Sequence, residues 1–170
     1  MKKRYCLYII IILLLSLCSC AAKQQPPEGS VAFYYQRSSI HPAESNAVIS
    51  KDYQVLSVPS SDYISVLKTY LQGPVSDPLH RVFPTGITLI ELDIYGKQAD
   101  VVLSGTFDAL EGMEQTIFCA CLTLTVCDLT GAEQLSIYRE QDAADSEPVS
   151  VMRPEEIMLL DDCKLEVDHD

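Results

Sequence analysis

The sequence predicts an α+β domain that lies behind an export leader, and three observations lead to this fold class. Two β-prone runs of aromatic and branched residues come first, a segment with apolar residues at helical spacing follows, and a hairpin with alternating apolar residues comes third. Hydrophobic residues make up 48% of the 170 residues, which is ordinary for a chain that builds a core. We therefore expect one folded domain.

The first two predicted elements are β-strands. Residues 31–35 form a compact β-prone run, and residues 47–58 form a second run rich in valine and isoleucine. The segment between them contains Pro42 and reads as a loop. We expect the second strand to pair with the first.

The clearest helix lies in residues 63–71. Asp62 and the two serines before it offer capping oxygens at its start. Gly73 and Pro74 end it, because glycine can turn left-handed and proline cannot continue a helix. The apolar residues at i, i+3, i+4, i+7 and i+8 share one face: Tyr63, Val66, Leu67, Tyr70 and Leu71.

Residues 87–104 predict a β-hairpin with its turn at Gly96-Lys97. Apolar side chains alternate with other residues on both arms, and a period of two buries one face of a strand and exposes the other. The residues expected to face the core are Ile90, Leu92, Ile94, Ala99, Val101 and Leu103, whereas Val102 falls on the face expected to meet water.

Residues 115–127 carry conflicting signals. Their β-branched residues and the alternation of Leu122, Leu124 and Val126 favour a strand, whereas their length and the acids just before them favour a helix.

Residues 134–138 read as the last strand of the core. Residues 140–170 hold eleven acids, with Arg153 and Lys164 as the bases, and form either a solvated tail or a short appendage carrying residues 149–152 and 157–160.

The N-terminus predicts a signal peptide. Basic residues at positions 2–4 precede an apolar run over residues 5–17, which is shorter than the ~20 apolar residues of a spanning helix. Residues 17–22 (Leu-Cys-Ser-Cys-Ala-Ala) resemble the lipobox of bacterial lipoproteins, with Leu17 at −3, Ser19 at −1 and Cys20 as the lipid-modified residue. Two acyl chains on Cys20 would hold the chain stably on the outer face of the cell membrane. An uncleaved transmembrane anchor is the alternative.

Charge excludes one class of partner. Once residues 1–19 are removed, nine of the twelve basic residues remain against all 24 acidic ones, a difference of 15 charges. An acidic surface repels phosphate backbones, so we expect no binding to nucleic acid.

The sequence lacks the common catalytic motifs. It contains no HExxH, GxSxG, Walker A or GxGxxG pattern. His41, His80 and His169 stand alone, without a neighbour at ligand spacing. We therefore expect no catalytic residue, no cofactor and no bound metal, and a hydrolase that uses His80 is the enzyme alternative.

Three stretches resemble the GerMN domain of spore-germination and sporulation lipoproteins. They are residues 67–74, a helix that ends in Gly-Pro; residues 82–86, Val-Phe-Pro-Thr-Gly before a hairpin; and residues 99–107, a strand followed by Phe107. The resemblance covers roughly residues 31–138. It implies that residues 114–127 are helical and that the secondary-structure elements follow the order β-β-α-β-β-α-β. This order implies a two-layer sandwich similar to ring-building modules. The resemblance further implies that the domain acts by association and not by catalysis.

The remaining cysteines have three interpretations. Cys119, Cys121, Cys127 and Cys163 can be free core thiols, disulfide partners or metal ligands. On a strand, residues 119, 121 and 127 would share a face. On the helix that the resemblance implies, residues 119 and 121 point about 200° apart, which favours small buried core residues.

These observations predict four segments: a signal peptide (1–19), a lipid-anchored tether (20–30), a GerMN-like domain (31–138) and an acidic extension (139–170). The predicted function is a non-catalytic, membrane-anchored envelope lipoprotein, and the GerMN resemblance implies that its domain assembles with envelope proteins or copies of itself during sporulation or germination. The alternative is a module that binds peptidoglycan or a small ligand and assists a peptidoglycan hydrolase.

Overall fold

A computed structural model of the chain describes residues 26–37, 48–75, 79–140 and 147–157. The described elements are two β-sheets, two α-helices and two short 3-10 helices, which confirms the α+β class. The N-terminal sheet contains β1 (Ser30–Arg37), β2 (Ile49–Val55) and β3 (Leu79–His80), and the C-terminal sheet contains β4 (Leu89–Tyr95), β5 (Gln98–Leu103), β6 (Gln134–Arg139) and β7 (Ser150–Met152). The helices are α1 (Tyr63–Tyr70) and α2 (Gly112–Thr130), and the 3-10 helices are Gly105–Ala109 and Pro154–Glu156.

The N-terminal sheet has the strand order β2-β1-β3. β1 and β2 pair antiparallel in a regular register from Ser30 opposite Val55 to Gln36 opposite Ile49, as predicted. β3 was not predicted, and it pairs with the last two residues of β1 only. Phe33 and Tyr35 on β1 are fully buried, so this strand supplies one wall of the core.

Helix α1 packs its predicted apolar face against that wall. The Asp62 carboxylate accepts a hydrogen bond from the Ser65 N–H at 3.2 Å and caps the first turn. Tyr70 is fully buried, and its ring stacks on Tyr35 with centroids 5.0 Å apart. Gly73 has a φ of 101°, the left-handed conformation expected just past the helix.

The C-terminal sheet has the order β4-β5-β6-β7. The hairpin β4-β5 is antiparallel, and the turn at Gly96 has a φ of 62°. β5 and β6 pair in parallel and are connected through α2, which makes β5-α2-β6 a crossover unit. β7 adds antiparallel to β6, so residues 150–152 of the acidic segment belong to this sheet.

The predicted burial of β4 is wrong at two residues. Ile90 is the extra residue of a β-bulge and is 50% exposed, and Ile94 is 38% exposed, because β4 is an edge strand. Ala99, Val101 and Leu103 on the neighbouring strand are buried as predicted. Val102, predicted to face water, is buried as well.

Helix α2 resolves the ambiguity of residues 115–127 in favour of a helix. All residues from Phe118 to Cys127 are buried, which is typical of a helix that is apolar on every side and packed within a core. It contacts β1 of one sheet and β6 and β7 of the other. Gly131 ends it with a φ of 77°, and the Gly131 N–H donates to the Cys127 carbonyl at 2.9 Å. Neither described helix combines the length and apolarity needed to cross a membrane.

Candidate interaction surfaces

The predicted site residues fall into two groups. Cys20 and Cys163 lie outside the described residues, as do His41 and His169. Cys119, Cys121 and Cys127 all lie on α2, where residues 119 and 121 point about 200° apart. His80 is exposed on β3, opposite Gln36 of β1.

The three helical cysteines are buried free thiols. Burial raises the pKa of the Cys119 thiol from 9.0 to about 11, although a hydrogen bond with Ser150 acts to lower that pKa. Burial likewise raises the pKa of Cys127 to about 11, and it raises the pKa of Cys121 further. In the four described ranges, no group of three His, Cys, Asp or Glu side chains is arranged to hold a metal ion.

These pKa values predict that the three thiols resist labelling in the folded chain. The thiolate is the reactive species, and a pKa of about 11 leaves about one thiol in a thousand ionised at about pH 8. The pKa of Cys119 and of Cys127 is therefore higher in the folded chain, about 11, than in the unfolded chain, 9.0. The protonated thiols contribute fully to stability below pH 9.0, and this contribution is lost as the pH rises through about 11. We expect maleimide labelling of Cys119 and Cys127, mapped by peptide mass spectrometry, to rise steeply only above about pH 10.

The urea-unfolded chain is the control, and it should label at all three cysteines at about pH 8. Rapid labelling of Cys121 in the folded chain at that pH would show that α2 is not packed as described.

A groove of about 390 Å³, lined by polar and apolar residues in similar measure, runs between Pro26-Pro27, β2 and the end of α2. Lys51 and Asp128 form an ion pair across it, with Nζ and Oδ2 3.4 Å apart. The Tyr34 hydroxyl donates to the same carboxylate at 3.3 Å, and Lys51 Nζ lies 4.9 Å from the centroid of the Tyr34 ring. Burial acts to lower the pKa of Lys51, but the hydrogen bond from its ammonium to Tyr34 and the negative charge of Asp128 outweigh it and raise that pKa. Lys51 therefore stays charged in the groove.

A second groove, of about 540 Å³, is mainly apolar. It lies between the start of β2, the N-terminal half of α2, and β7 with the residues that follow it. Met113 and Val151 on its rim are 78% and 48% exposed, and Glu156 is its charged residue. Sequence reasoning missed both grooves, because each is built from segments far apart in the chain and no local pattern marks them.

The comparisons with known proteins identify the fold. No family model and no curated protein sequence matches the chain. The first GerMN domain of the sporulation protein GerM from Bacillus subtilis matches with a TM-score of 0.53 at 17% identity, over 71% of this chain and 93% of that domain. The tandem GerMN domains of the same protein match with a TM-score of 0.57 at 15% identity, over 75% of this chain and 47% of the tandem.

A third structure, of a candidate lipoprotein from Clostridium perfringens, matches with a TM-score of 0.43 at 18% identity, over 78% of this chain and 93% of that one. The two GerM structures show that the described chain has a GerMN-like fold, which confirms the predicted resemblance.

Proposed function

We propose that this chain is a non-catalytic envelope lipoprotein, whose GerMN-like domain assembles with other envelope proteins during sporulation or spore germination. The GerMN-like fold is the observation that carries the proposal, because the GerM structures that share it belong to a sporulation protein. The lipobox-like residues before Cys20 support the anchor. The apolar groove beside Met113 supports docking, because apolar surface that remains exposed on a folded domain is typical of interaction sites.

The anchor sets how the domain meets its partners. Six peptide steps separate Cys20 from Pro26, where the described residues begin, and they span about 20 Å at full extension. A diacylglycerol on Cys20 would therefore keep the domain close to the membrane surface. Partners would be membrane proteins or other chains anchored in the same bilayer.

Lipid labelling and cross-linking in the same cells test both halves of the proposal. We expect sporulating cells that express the chain to incorporate labelled palmitate into it, and cross-linking to recover an envelope partner. Cys20→Ala removes the acceptor thiol, so it should abolish the label and reduce the recovery of that partner. Cys18→Ala is the matched control, because position −2 tolerates small residues and the label should remain.

Two results would contradict the proposal separately. A wild-type chain that carries no lipid would remove the anchor. A lipidated chain that cross-links to no envelope protein, and whose deletion has no effect on sporulation or germination, would remove the assembly role.

The groove that contains Lys51 and Asp128 favours a second candidate, a module that binds cell-wall fragments. Lys51 and Asp128 offer one positive and one negative group beside the exposed ring of Tyr53, which suits a ligand with hydroxyl and carboxyl groups. Saturable binding of the full chain to purified peptidoglycan, weakened by Lys51→Met, would favour this candidate over protein assembly.

A further inference from the structure

Strand β4 is an edge strand of the C-terminal sheet, and helix α1 contacts part of it. It pairs with β5 on one side, and no strand of the described residues lies on its other side. Past the bulge at Ile90, its register is regular from Glu91 to Tyr95. Its sequence contains neither proline nor lysine, which proteins commonly use to protect an edge strand. Its outer edge is therefore a template on which another extended chain can form backbone hydrogen bonds.

The two faces of this edge differ in chemistry. Glu91, Asp93 and Tyr95 lie on one face, and the register places Asp93 directly opposite Asp100 of β5. Like charges that oppose each other across strands are unfavourable. Within the described residues neither Glu91 nor Asp93 forms an ion pair, and the nearby Lys97 pairs with Glu133.

The opposite face of the edge is apolar. Leu92 and Ile94 share it with Val101 and Ala99, which are buried in the core. Both are only partly covered, and Ile94 is 38% exposed. A strand added beside β4 would extend this apolar face and cover its outer margin.

We propose that the β4 edge docks an extended segment of a partner protein in which basic side chains alternate with apolar ones. Neighbouring strands place their side chains on the same faces, so the basic residues would lie beside Glu91 and Asp93 and the apolar ones beside Leu92 and Ile94. The exposed ring of Tyr95, at 65%, adds a surface on which an arginine can stack. This proposal rests on the proposed docking function and names the partner's chemistry.

A second copy of this chain does not fit the edge through its own β4. Antiparallel pairing of two β4 strands would place Glu91 and Asp93 of one copy beside the same carboxylates of the other. That arrangement adds like charges to a face where Asp93 already opposes Asp100. Charge therefore favours a basic partner strand over self-pairing.

Peptide binding to the full chain tests this proposal. The probe is a short fluorescent peptide in which arginine and valine alternate, and the comparison peptide has the same composition with its arginines grouped at one end. We expect the alternating peptide to bind more tightly, by fluorescence anisotropy, and to slow amide hydrogen exchange in residues 89–95. Reversing both charges with Glu91→Lys and Asp93→Lys should weaken its binding by about tenfold or more.

The matched control reverses two exposed acids elsewhere, Glu111→Lys and Glu140→Lys, which changes the net charge equally. This control should bind the alternating peptide within about twofold of the wild type, because it shares only the long-range effect of the added positive charge. Equal binding of the two peptides, equal losses in the two double variants, or unchanged exchange in residues 89–95 would each overturn the proposal. An envelope partner recovered by cross-linking despite such a result would leave the docking function in place and exclude only this edge.

Discussion

Replacing Tyr70 with alanine should lower the free energy of unfolding by about 4 kcal/mol, a large part of the stability of a small domain. Tyr70 is fully buried at the centre of an aromatic cluster, with its ring centroid 5.0 Å from that of Tyr35, 5.5 Å from Phe33 and 5.6 Å from Phe83. Alanine would leave a cavity between helix α1 and the N-terminal sheet. Urea denaturation of the variant and the wild type measures the difference.

Two further variants separate the ring from its hydroxyl group. The Tyr70 hydroxyl donates to the Tyr34 carbonyl at 3.2 Å, so Tyr70→Phe should cost only about 1 kcal/mol. Tyr95→Ala removes a ring of the same size that is 65% exposed and should cost less than about 0.5 kcal/mol. If Tyr70→Ala cost no more than Tyr95→Ala, the aromatic cluster would not be the centre of the core.

The same substitution at two neighbouring threonines of α2 should have opposite effects. Thr125 is fully buried, and its Oγ1 accepts a hydrogen bond from the Tyr34 backbone N–H at 3.1 Å. Thr125→Val keeps the shape and leaves that buried N–H without its acceptor, which should cost about 1–3 kcal/mol. Thr123 is also fully buried, but its Oγ1 has no hydrogen-bond partner among the described residues. Thr123→Val should therefore raise stability by about 1 kcal/mol.

Each threonine serves as the control for the other, because both variants exchange one hydroxyl for one methyl group in the same helix. Thermal unfolding should give a higher Tm for Thr123→Val and a lower Tm for Thr125→Val than for the wild type. Equal shifts in the same direction would show that helix propensity, and not hydrogen bonding, determines the result.

Local patterns predicted the elements that carry their own signals. Helix α1 followed from the spacing of Val66, Leu67 and Tyr70, and Gly73 marked its end. The pairing of β1 with β2 followed from two adjacent β-prone runs. In each case the information lies within a few consecutive residues.

Elements that depend on distant neighbours were harder to predict. The propensity of residues 115–127 was ambiguous, because a helix buried on every side has no polar face and its sequence resembles that of a strand. The GerMN resemblance supplied the helix there. β3 has two residues and pairs only because β1 passes beside it, and the exposure of Ile90 and Ile94 depends on a bulge and an open edge that alternation does not reveal.

The candidate interaction surfaces were harder to predict from the sequence than the secondary-structure elements. The cysteine pattern was visible in the sequence, but three interpretations remained until the backbone was known. Neither groove could be found from sequence, because each combines residues of several separate segments. The acids of β4 were visible as an alternation, whereas the opposition of Asp93 and Asp100 required the register.

The bond between the Tyr34 amide and Thr125 joins residues 91 positions apart, which affects how the chain reaches its native state. Synthesis proceeds from the N-terminus, so β1 is complete long before the ribosome adds the helix that satisfies this amide. A nascent or truncated chain that stops before residue 125 leaves the Tyr34 amide of the aromatic strand β1 without its acceptor. The wall that β1 contributes to the core therefore reaches its final form only after most of the domain has been made.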